Sequence, residues 1–411
     1  MNNSLQGMTR RTQGFPFRFG AVLTCFSFTL FFLLFQGGKL AFMLFIIMSL
    51  ISVYLVLGRW SGIRDTQGER RLVLPDRDTV LEAGSSVTVR IDIQIPGFWP
   101  IPYVIIKDKL VRRNGGSQQF ECSVVPDWSR KGAVEYRTPP LRRGVYGFEQ
   151  TECSTQDMFG IFEHRGVLAM PTGFKVLPHT VAIREWQQLH RMHKGTHQHA
   201  VTTRAVRETT QLNGVREYNY GDRLSRIHWN ATAKTGTLKS KEFERESLPR
   251  TIVLLDRAAS SYGNEQLFEV AVSAAASLLE YGGRKELAIG LMADGYYEPG
   301  SSRMARRQML NHLVEVEADG SKPLLQVLTE RTRELPTGTF ITIVSADNGE
   351  AMLRALGWLK QRQLNPCHVW VNGEHPEAGE RWLLTLRHRG ISGYAVRSLE
   401  ELPAVLEGRG L

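Results

Sequence analysis

The sequence predicts an α/β protein made of an N-terminal helical hairpin, a small antiparallel β sandwich and a C-terminal doubly wound α/β domain. Two apolar stretches fill most of the first sixty residues, period-two alternation follows over residues 70–180, and strands alternate with helices over residues 250–411. With 411 residues, 42% hydrophobic and 22% charged, the chain has the composition of a folded protein of two or three domains.

The apolar stretches, residues 19–35 and 40–58, read FGAVLTCFSFTLFFLLF and LAFMLFIIMSLISVYLVLG. As a helix, each is long enough to cross a hydrocarbon core about 30 Å thick. QGGK, at residues 36–39, provides the turn between them. A cleaved signal peptide is not favoured, because the first stretch lacks a small-residue cleavage site and a second span follows at once. We therefore expect residues 18–58 to form two transmembrane helices.

The charges that flank this hairpin predict that both chain ends face the cytoplasm. Lys39 is the basic residue of the turn, whereas arginines lie on both sides of the hairpin, at positions 10, 11 and 18 before it and 59, 64, 70 and 71 after it. Residues 1–17 are then a cytoplasmic tail.

The net charge of +10 would also suit a nucleic-acid binder, but lysines and arginines are spread among acidic residues rather than gathered in one stripe.

Alternating side chains predict the β-sandwich-like domain over residues 70–180. In SSVTVRIDIQIPG, five apolar residues share one face of a strand: Val87, Val89, Ile91, Ile93 and Ile95. Turns rich in Gly and Pro separate several further short strands, a pattern typical of small antiparallel sandwiches. A disulfide between Cys122 and Cys153 is conceivable in this region, but we expect reduced, buried thiols in a cytoplasmic domain.

Residues 181–213 are predicted to be a linker. It contains four histidines, at positions 190, 193, 197 and 199. Established zinc motifs have tighter spacing and companion ligands, and no cysteine or carboxylate accompanies these histidines. A polar loop is therefore the expectation.

Apolar runs that end in an acidic residue mark the central strands of the C-terminal domain. RTIVLLD places Asp256 after one strand, and TFITIVSAD places Asp347 after another. Ligands of such sheets bind at the carboxyl ends of the strands, so we expect these two carboxylates at one edge. They could bind a hard divalent cation there.

The most specific pattern lies in residues 214–249. REYNYGDRLSRIHWNATAKTGTL resembles the signature of the bacterial family called domain of unknown function 58 (DUF58), and QDMFGIF resembles that family's Asp-Pro-Phe-Gly segment, with Met158 where proline is usual. The matching signature residues are Arg216, Glu217, Tyr218, Gly221, Asp222, Arg226, Ile227, His228, Trp229, Thr232, Ala233 and Lys234.

This resemblance implies a von Willebrand factor A-like domain at residues 250–411, anchored in the inner membrane of a bacterial cell. Members are commonly encoded beside MoxR-type AAA+ ATPases, which implies that the protein acts with such an ATPase in the assembly or maturation of client proteins, and implies no enzymatic activity. The metal-dependent adhesion site of that fold reads Asp-x-Ser-x-Ser. Asp256 and Ser260 match this pattern, Ala258 lacks the oxygen ligand, and Asp347 could supply a later acidic ligand, so Mg²⁺ is the cofactor that the resemblance suggests.

Within the signature, Asp222 is predicted to cap a short helix, because its carboxylate can accept from exposed first-turn amides. Leu224, Ile227, His228 and Ala231 then share one helical face. Gly236 is a natural stop for this helix, and TLKSKEFERE can follow as a strand.

Two roles of the signature stay open. Arg216, Glu217 and Arg226 could hold a joint between domains through charge-assisted hydrogen bonds. Alternatively, Tyr218, Tyr220 and Trp229 could be aromatic anchors of a docking surface.

The leading functional hypothesis is a membrane-tethered, cytoplasm-facing protein-interaction module that works with a MoxR-type AAA+ ATPase. The alternative is a metal-dependent hydrolase that uses Asp256 and Asp347. The sequence contains no GxSxG elbow, HExxH motif or P-loop, and Ala258 lies where an aspartyl-nucleophile phosphatase needs its second aspartate, so a non-enzyme is favoured.

Overall fold

A computed structural model of the chain describes residues 14–58, 61–73, 80–189, 208–220, 224–245, 250–331, 335–371 and 376–408. The chain divides into two compact units, Met1–Leu177 and Pro178–Leu411. The predicted mixed α/β composition, with two apolar N-terminal helices and several antiparallel strand pairs, is confirmed.

The first unit begins with helices α1 (Gly14–Gln36) and α2 (Gly38–Leu57). Gly37 and Gly38 both have positive φ, which lets the chain reverse within two residues. Over residues 18–36 and 38–57 the helices are long and apolar enough to cross a membrane. The predicted spans therefore correspond to real helices, and each helix begins slightly earlier than the sequence indicates.

Nine strands follow among the described residues of the first unit, and all of them pair antiparallel: β1 (Gln67–Val73), β2 (Thr88–Gln94), β3 (Val104–Arg112), β4 (Ser117–Val124), β5 (Lys131–Arg137), β6 (Gly144–Phe148), β7 (Thr151–Gln156), β8 (Glu163–Leu168) and β9 (Gly173–Val176). One sheet has the order β1-β2-β5, and the other has the order β8-β7-β3-β6-β9 with β4 beside β3. The five alternating residues of Val87–Ile95 are all buried in the core, together with side chains of β3, β6 and β7. The period-two prediction is thus confirmed.

The conceivable disulfide between Cys122 and Cys153 does not form, and both thiols are free. Ile106 of β3 lies between them, since it pairs with Cys122 on one side and with Cys153 on the other. Two strand spacings separate the cysteines by roughly 10 Å, beyond the Cα separation that a disulfide tolerates.

The second unit is built on a six-stranded sheet of order β14-β13-β12-β15-β16-β17. Its strands are β12 (Thr251–Leu255), β13 (Ile289–Met292), β14 (Tyr296–Gly300), β15 (Phe340–Ser345), β16 (Asn365–Val371) and β17 (Ser392–Val396). All neighbours pair in parallel except β14, which is antiparallel to β13.

Helices cover both faces of this sheet, because alternate strand residues enter two separate cores. Val253 and Leu255 point into one core, and Ile252 and Leu254 point into the other. The first core contains residues of α4 (Glu265–Arg284), α5 (Arg303–Glu315) and α9 (Leu402–Leu406). The second contains residues of α6 (Leu324–Arg331), α7 (Glu350–Gln361) and α8 (Pro376–His388). This is a doubly wound arrangement.

The segment predicted to be a linker, residues 181–213, is in part a structural element of the second unit. Ile183, Trp186 and Leu189 are buried in the first core, and the Trp186 ring packs against Tyr281 and Phe340. Strand β10 (Glu208–Glu217) begins inside this segment and pairs antiparallel with β11 (Lys239–Arg245). The linker boundaries are therefore wrong at both ends, whereas the four histidines lie outside the described residues.

Candidate functional site

The carboxyl edge of the six-stranded sheet brings the two predicted aspartates close in the fold. Strands β12 and β15 are parallel neighbours, and Leu255 pairs with Val344. Asp256 follows β12 directly, and Asp347 comes two residues after the end of β15. The Ser345 hydroxyl connects them, since it donates to Asp256 Oδ2 at 2.7 Å and accepts from the Asp347 amide at 3.0 Å.

Three protein donors reach the carboxylate of Asp256, which is 4% exposed. The Ser261 and Ser345 hydroxyls donate to Oδ2 at 2.6 and 2.7 Å, and the Ala258 amide donates to Oδ1 at 3.0 Å. The Tyr262 hydroxyl donates to the main-chain oxygen of Asp256 at 2.7 Å. Burial, aided by the Asp256 charge, raises the pKa of Tyr262 well above its ordinary value, so this hydroxyl stays a donor.

This donor set does not fit the predicted Mg²⁺ site. Ser260, predicted as a ligand, is exposed, and it is the neighbouring Ser261 that reaches Asp256. Asp347 Oδ1 accepts from the Gly349 amide at 2.8 Å and thereby caps its own turn. No group of three or more His, Cys, Asp or Glu side chains that could hold a metal ion occurs in the described part of the chain. Octahedral coordination would need carboxylate oxygens turned toward a common centre, whereas Asp256 Oδ1 and Asp347 Oδ1 each accept from an amide of their own turn.

Arg257 lies beside Asp256 and is held by a second set of contacts. Its guanidinium pairs with Asp294, at 2.5 Å, and with Asp319, while its Nε donates to the Glu317 carbonyl at 3.2 Å. The Gly320 amide returns a hydrogen bond to the Arg257 carbonyl at 2.9 Å. The positive charge of Arg257 is therefore engaged by two carboxylates of its own unit.

The described residues of the signature segment, 214–220 and 224–241, form a compact cluster, which we call the knot. The Ile227–Ser240 bridge and the bond from the His228 amide to the Lys239 carbonyl, at 2.8 Å, tie its middle to β11. The Lys239 amide donates to Thr232 Oγ1 at 3.0 Å, and Lys239 Nζ pairs with Glu217 at 3.1 Å. The knot therefore has a defined conformation.

The helix of the knot is shorter than the sequence predicts. A 3-10 turn over Leu224–Arg226 precedes α3 (Trp229–Thr235), and the two are separated because Ile227 joins the bridge to β11. His228 Nδ1 caps α3 by accepting from the Ala231 amide at 3.1 Å. Gly236 ends the helix in the left-handed region, as predicted. Gly221 and the predicted cap Asp222 lie outside the described residues.

The signature residues divide into buried and exposed sets. Ile227 is buried, whereas Trp229 is 66% exposed and Tyr220 is fully exposed. Leu224 and Leu238 are also exposed. Half-buried Arg216 donates to the Glu217 carbonyl at 3.0 Å; Arg226, Tyr218 and Thr232 are half-buried too, and Ala233 and Lys234 are exposed. The segment thus combines a fixed interior with several exposed apolar side chains.

Sequence reasoning missed Ser261, Ser345, Asp294 and Asp319. Ser345 had a visible signal, since a polar residue ending an otherwise apolar strand next to Asp347 marks the same sheet edge. The two acids that bind Arg257 had none, because they are 37 and 62 residues away in sequence.

Residues 214–363 match the family described as "Protein of unknown function DUF58". A relative, "Uncharacterized protein YeaD" of Bacillus subtilis (strain 168), is 25% identical over 315 residues, which cover 72% of this chain and 74% of that protein. These matches confirm the resemblance of the signature residues to DUF58.

Two solved structures show a remote likeness to part of this chain. The CARDB domain of a Pyrococcus furiosus protein is 13% identical and covers 28% of this chain and 90% of its own, with a TM-score of 0.18. A superoxide reductase (Neelaredoxin) from Ignicoccus hospitalis is 12% identical and covers 26% of this chain and 80% of its own, with a TM-score of 0.17. Scores this low support no argument about fold or function.

Proposed function

Since this chain carries a DUF58 domain, we propose that it is a membrane-anchored protein-interaction protein. It works with a MoxR-type AAA+ ATPase in the assembly or maturation of client proteins, as the family resemblance suggests. The docking surface is the exposed side of the knot. The exposure of Tyr220 and Trp229 is the observation that carries this proposal, because large aromatic side chains left in water within a fixed segment are typical of binding anchors.

The charge of the knot indicates the kind of partner. Among the described side chains of residues 214–220 and 224–241, Glu217 is the acidic one, whereas five are basic: Arg216, Arg226, Lys234, Lys239 and Lys241. An acidic protein surface with apolar side chains of its own would complement this arrangement. The basic residues would guide association, and the aromatic rings would supply most of the affinity.

Access to a cytoplasmic ATPase requires the second unit to lie inside the cell. The arginines that flank the two candidate spans support this orientation. A cytoplasm-facing unit at the inner membrane could present the knot to the ATPase while the helices hold the chain in place.

A hydrolase built on Asp256 and Asp347 receives little support from the geometry. The Asp256 carboxylate accepts three hydrogen bonds from its own unit, and Asp347 Oδ1 accepts from an amide of its own turn. Neither group is arranged as a free nucleophile or base.

The test measures the dissociation constant between the detergent-solubilised full chain and the purified MoxR-type ATPase of the same organism, in the presence of ATP. We expect Trp229→Ala and Tyr220→Ala each to weaken binding on the order of thirtyfold, which corresponds to about 2 kcal/mol. Both side chains are exposed, so the fold should be retained.

Met304→Ala is the matched control, because Met304 is an exposed apolar side chain of α5 in the same unit. It should leave the dissociation constant unchanged. Equal loss of affinity in all three variants, no affinity of the wild-type chain, or labelling of the second unit from outside intact cells would overturn the proposal.

A further inference from the structure

Three loops of the first unit expose large apolar side chains at one end of the β sandwich. They are residues 95–103 between β2 and β3, residues 125–130 between β4 and β5, and residues 157–162 between β7 and β8. We name them the apolar rim. Its exposed residues are Phe98, Val125, Trp128, Met158 and Phe159. The opposite end of β3 and β4 turns instead through Asn114, Gly115 and Gly116.

Hydrogen bonds hold the three loops together. Arg130 connects two of them, since its Nε donates to the Ile95 carbonyl at 3.0 Å and its Nη2 donates to the Pro96 carbonyl at 2.9 Å. The Tyr103 hydroxyl donates to Gln156 at 3.1 Å, next to the third loop. Asp157 accepts from the Phe159 amide at 2.8 Å and fixes the third loop internally. The three loops of the rim therefore have fixed conformations.

The rim also contacts the candidate membrane helices. The Tyr54 hydroxyl of α2 accepts from the Met158 amide at 3.2 Å, and the Tyr54 ring packs against Phe159 and Trp99 at centroid distances of 5.9 and 5.5 Å. Arg18 of α1 donates to the Ile161 carbonyl at 2.8 Å. The exposed side chains thus lie at the end of the hairpin where the chain leaves α2.

A groove between α1 and α2 supports the same placement. It has a volume of about 360 Å³ and is lined mostly by apolar side chains, including Phe19, Phe26 and Val53 of the helices, with Ser49, Ser52 and His164 as its polar lining residues. Phe162 of the rim also lines it. Hydrocarbon, rather than water, is the medium that such a surface favours. Acyl chains that fill this groove would bring the bilayer to the level of the rim.

We propose that the apolar rim is seated in the membrane interface, so that the β sandwich rests on the bilayer instead of hanging from the hairpin in water. Trp, Phe and Met side chains at this depth would act like the aromatic belt of a membrane protein, with the indole ring among the lipid headgroups. The proposal rests on the membrane anchoring stated under the proposed function, but not on the ATPase or on the knot.

The test uses the full chain in vesicles of phosphatidylethanolamine and phosphatidylglycerol, with one fluorophore attached to a single cysteine. Cys25 of α1 is exposed and reports insertion of the hairpin. In a background with Cys25→Ser and Cys122→Ser, the variant Trp128→Cys reports the rim. Gly116→Cys reports the opposite end, where an added Cβ meets no neighbour. Strand β3 of nine residues separates the two ends by roughly 30 Å.

Lipids that carry a nitroxide near the headgroup should quench the label at position 128 several-fold more than the label at position 116, and soluble iodide should show the reverse order. If lipid nitroxides quench the label at Cys25 but quench the labels at positions 128 and 116 equally, the seating of the rim would be overturned. Membrane anchoring by the hairpin would still stand. A Cys25 label that lipid nitroxides do not quench would overturn both.

Discussion

Among the described residues, each unit of the chain contains one deeply buried aspartate, and the partners of the two differ. Asp108, 1% exposed, is ion-paired with Arg70 at 2.6 Å and also accepts from the Thr151 and Tyr136 hydroxyls, at 2.9 and 2.5 Å. Asp256 accepts only from neutral donors among the contacts described above, two hydroxyls and an amide. Asp108 lies on β3 within the sandwich, whereas Asp256 follows a strand at the edge where α/β sheets bind ligands.

This difference indicates that Asp108 has a structural role, whereas the surroundings of Asp256 depend less on its charge. Removing Asp108 would leave the guanidinium of Arg70 buried without its carboxylate, although the Met170 carbonyl and the Phe148 ring also contact it. Removing Asp256 would leave only neutral hydroxyls, which can turn to other acceptors or to water. Substitution of Asp256, the aspartate at the ligand-binding edge of the sheet, should therefore destabilise its unit less than substitution of Asp108.

The largest effect is expected for Asp108→Ala. A broken buried ion pair costs about 3–5 kcal/mol, because an uncompensated charge stays behind. Hydrogen exchange of β1, β3 and β7 in the detergent-solubilised chain measures the opening free energy of the first unit without contribution from the second.

Glu121→Ala provides the control for this prediction. Its pair with Lys107, at 3.2 Å, is largely exposed, so the loss should be below about 1 kcal/mol. Equal losses for the two variants would remove the distinction between Asp108 and an ordinary surface charge.

Asp108 also shows which parts of the fold the sequence could predict. The alternation around Ile91 and the acid-terminated runs before Asp256 and Asp347 depend on local periodicity, and these predictions gave the correct strands. The pairing of Asp108 with Arg70 joins residues 38 positions apart, and no local pattern encodes it.

The same reason explains the errors at the candidate site and in the linker. Ser261 reaches Asp256 instead of Ser260 because a 3-10 turn over Ala259–Ser261 sets which serine faces inward. Trp186 enters the core because Tyr281 and Phe340 form its contacts, although its own sequence neighbours are polar. Such outcomes depend on tertiary neighbours that spacing alone does not specify.

A pH titration extends the comparison to a third buried ionisable group, His368, which lies in the same unit as Asp256. Its Nδ1 accepts from Trp382 Nε1 at 3.0 Å, and burial lowers its pKa from 6.5 to about 3. Between these values the unfolded chain binds a proton that the folded chain does not. Stability of the second unit should therefore fall as the pH drops through this window, by about 1.4 kcal/mol per pH unit.

The matched variant is His368→Asn, whose side-chain oxygen can still accept from Trp382 but does not titrate. Hydrogen exchange of β15 and β16 measures the unfolding free energy of the second unit. In the variant, the pH dependence of this free energy should lack the contribution of His368. An identical slope in wild type and variant would show that His368 is not held neutral.

The smallest effect is expected for Ser345→Ala, and it decides how closed the Asp256 site is. The variant removes one of three donors and leaves the Ser261 hydroxyl and the Ala258 amide in place, so the second unit should lose about 1 kcal/mol. Ser260→Ala is the control from the same turn, and because Ser260 is exposed it should change stability little. Adding Mg²⁺ should leave the melting temperature of the wild-type chain unchanged, since the carboxylate is already satisfied. If Mg²⁺ instead raises that temperature and Asp256→Asn abolishes the rise, the site would be a metal centre.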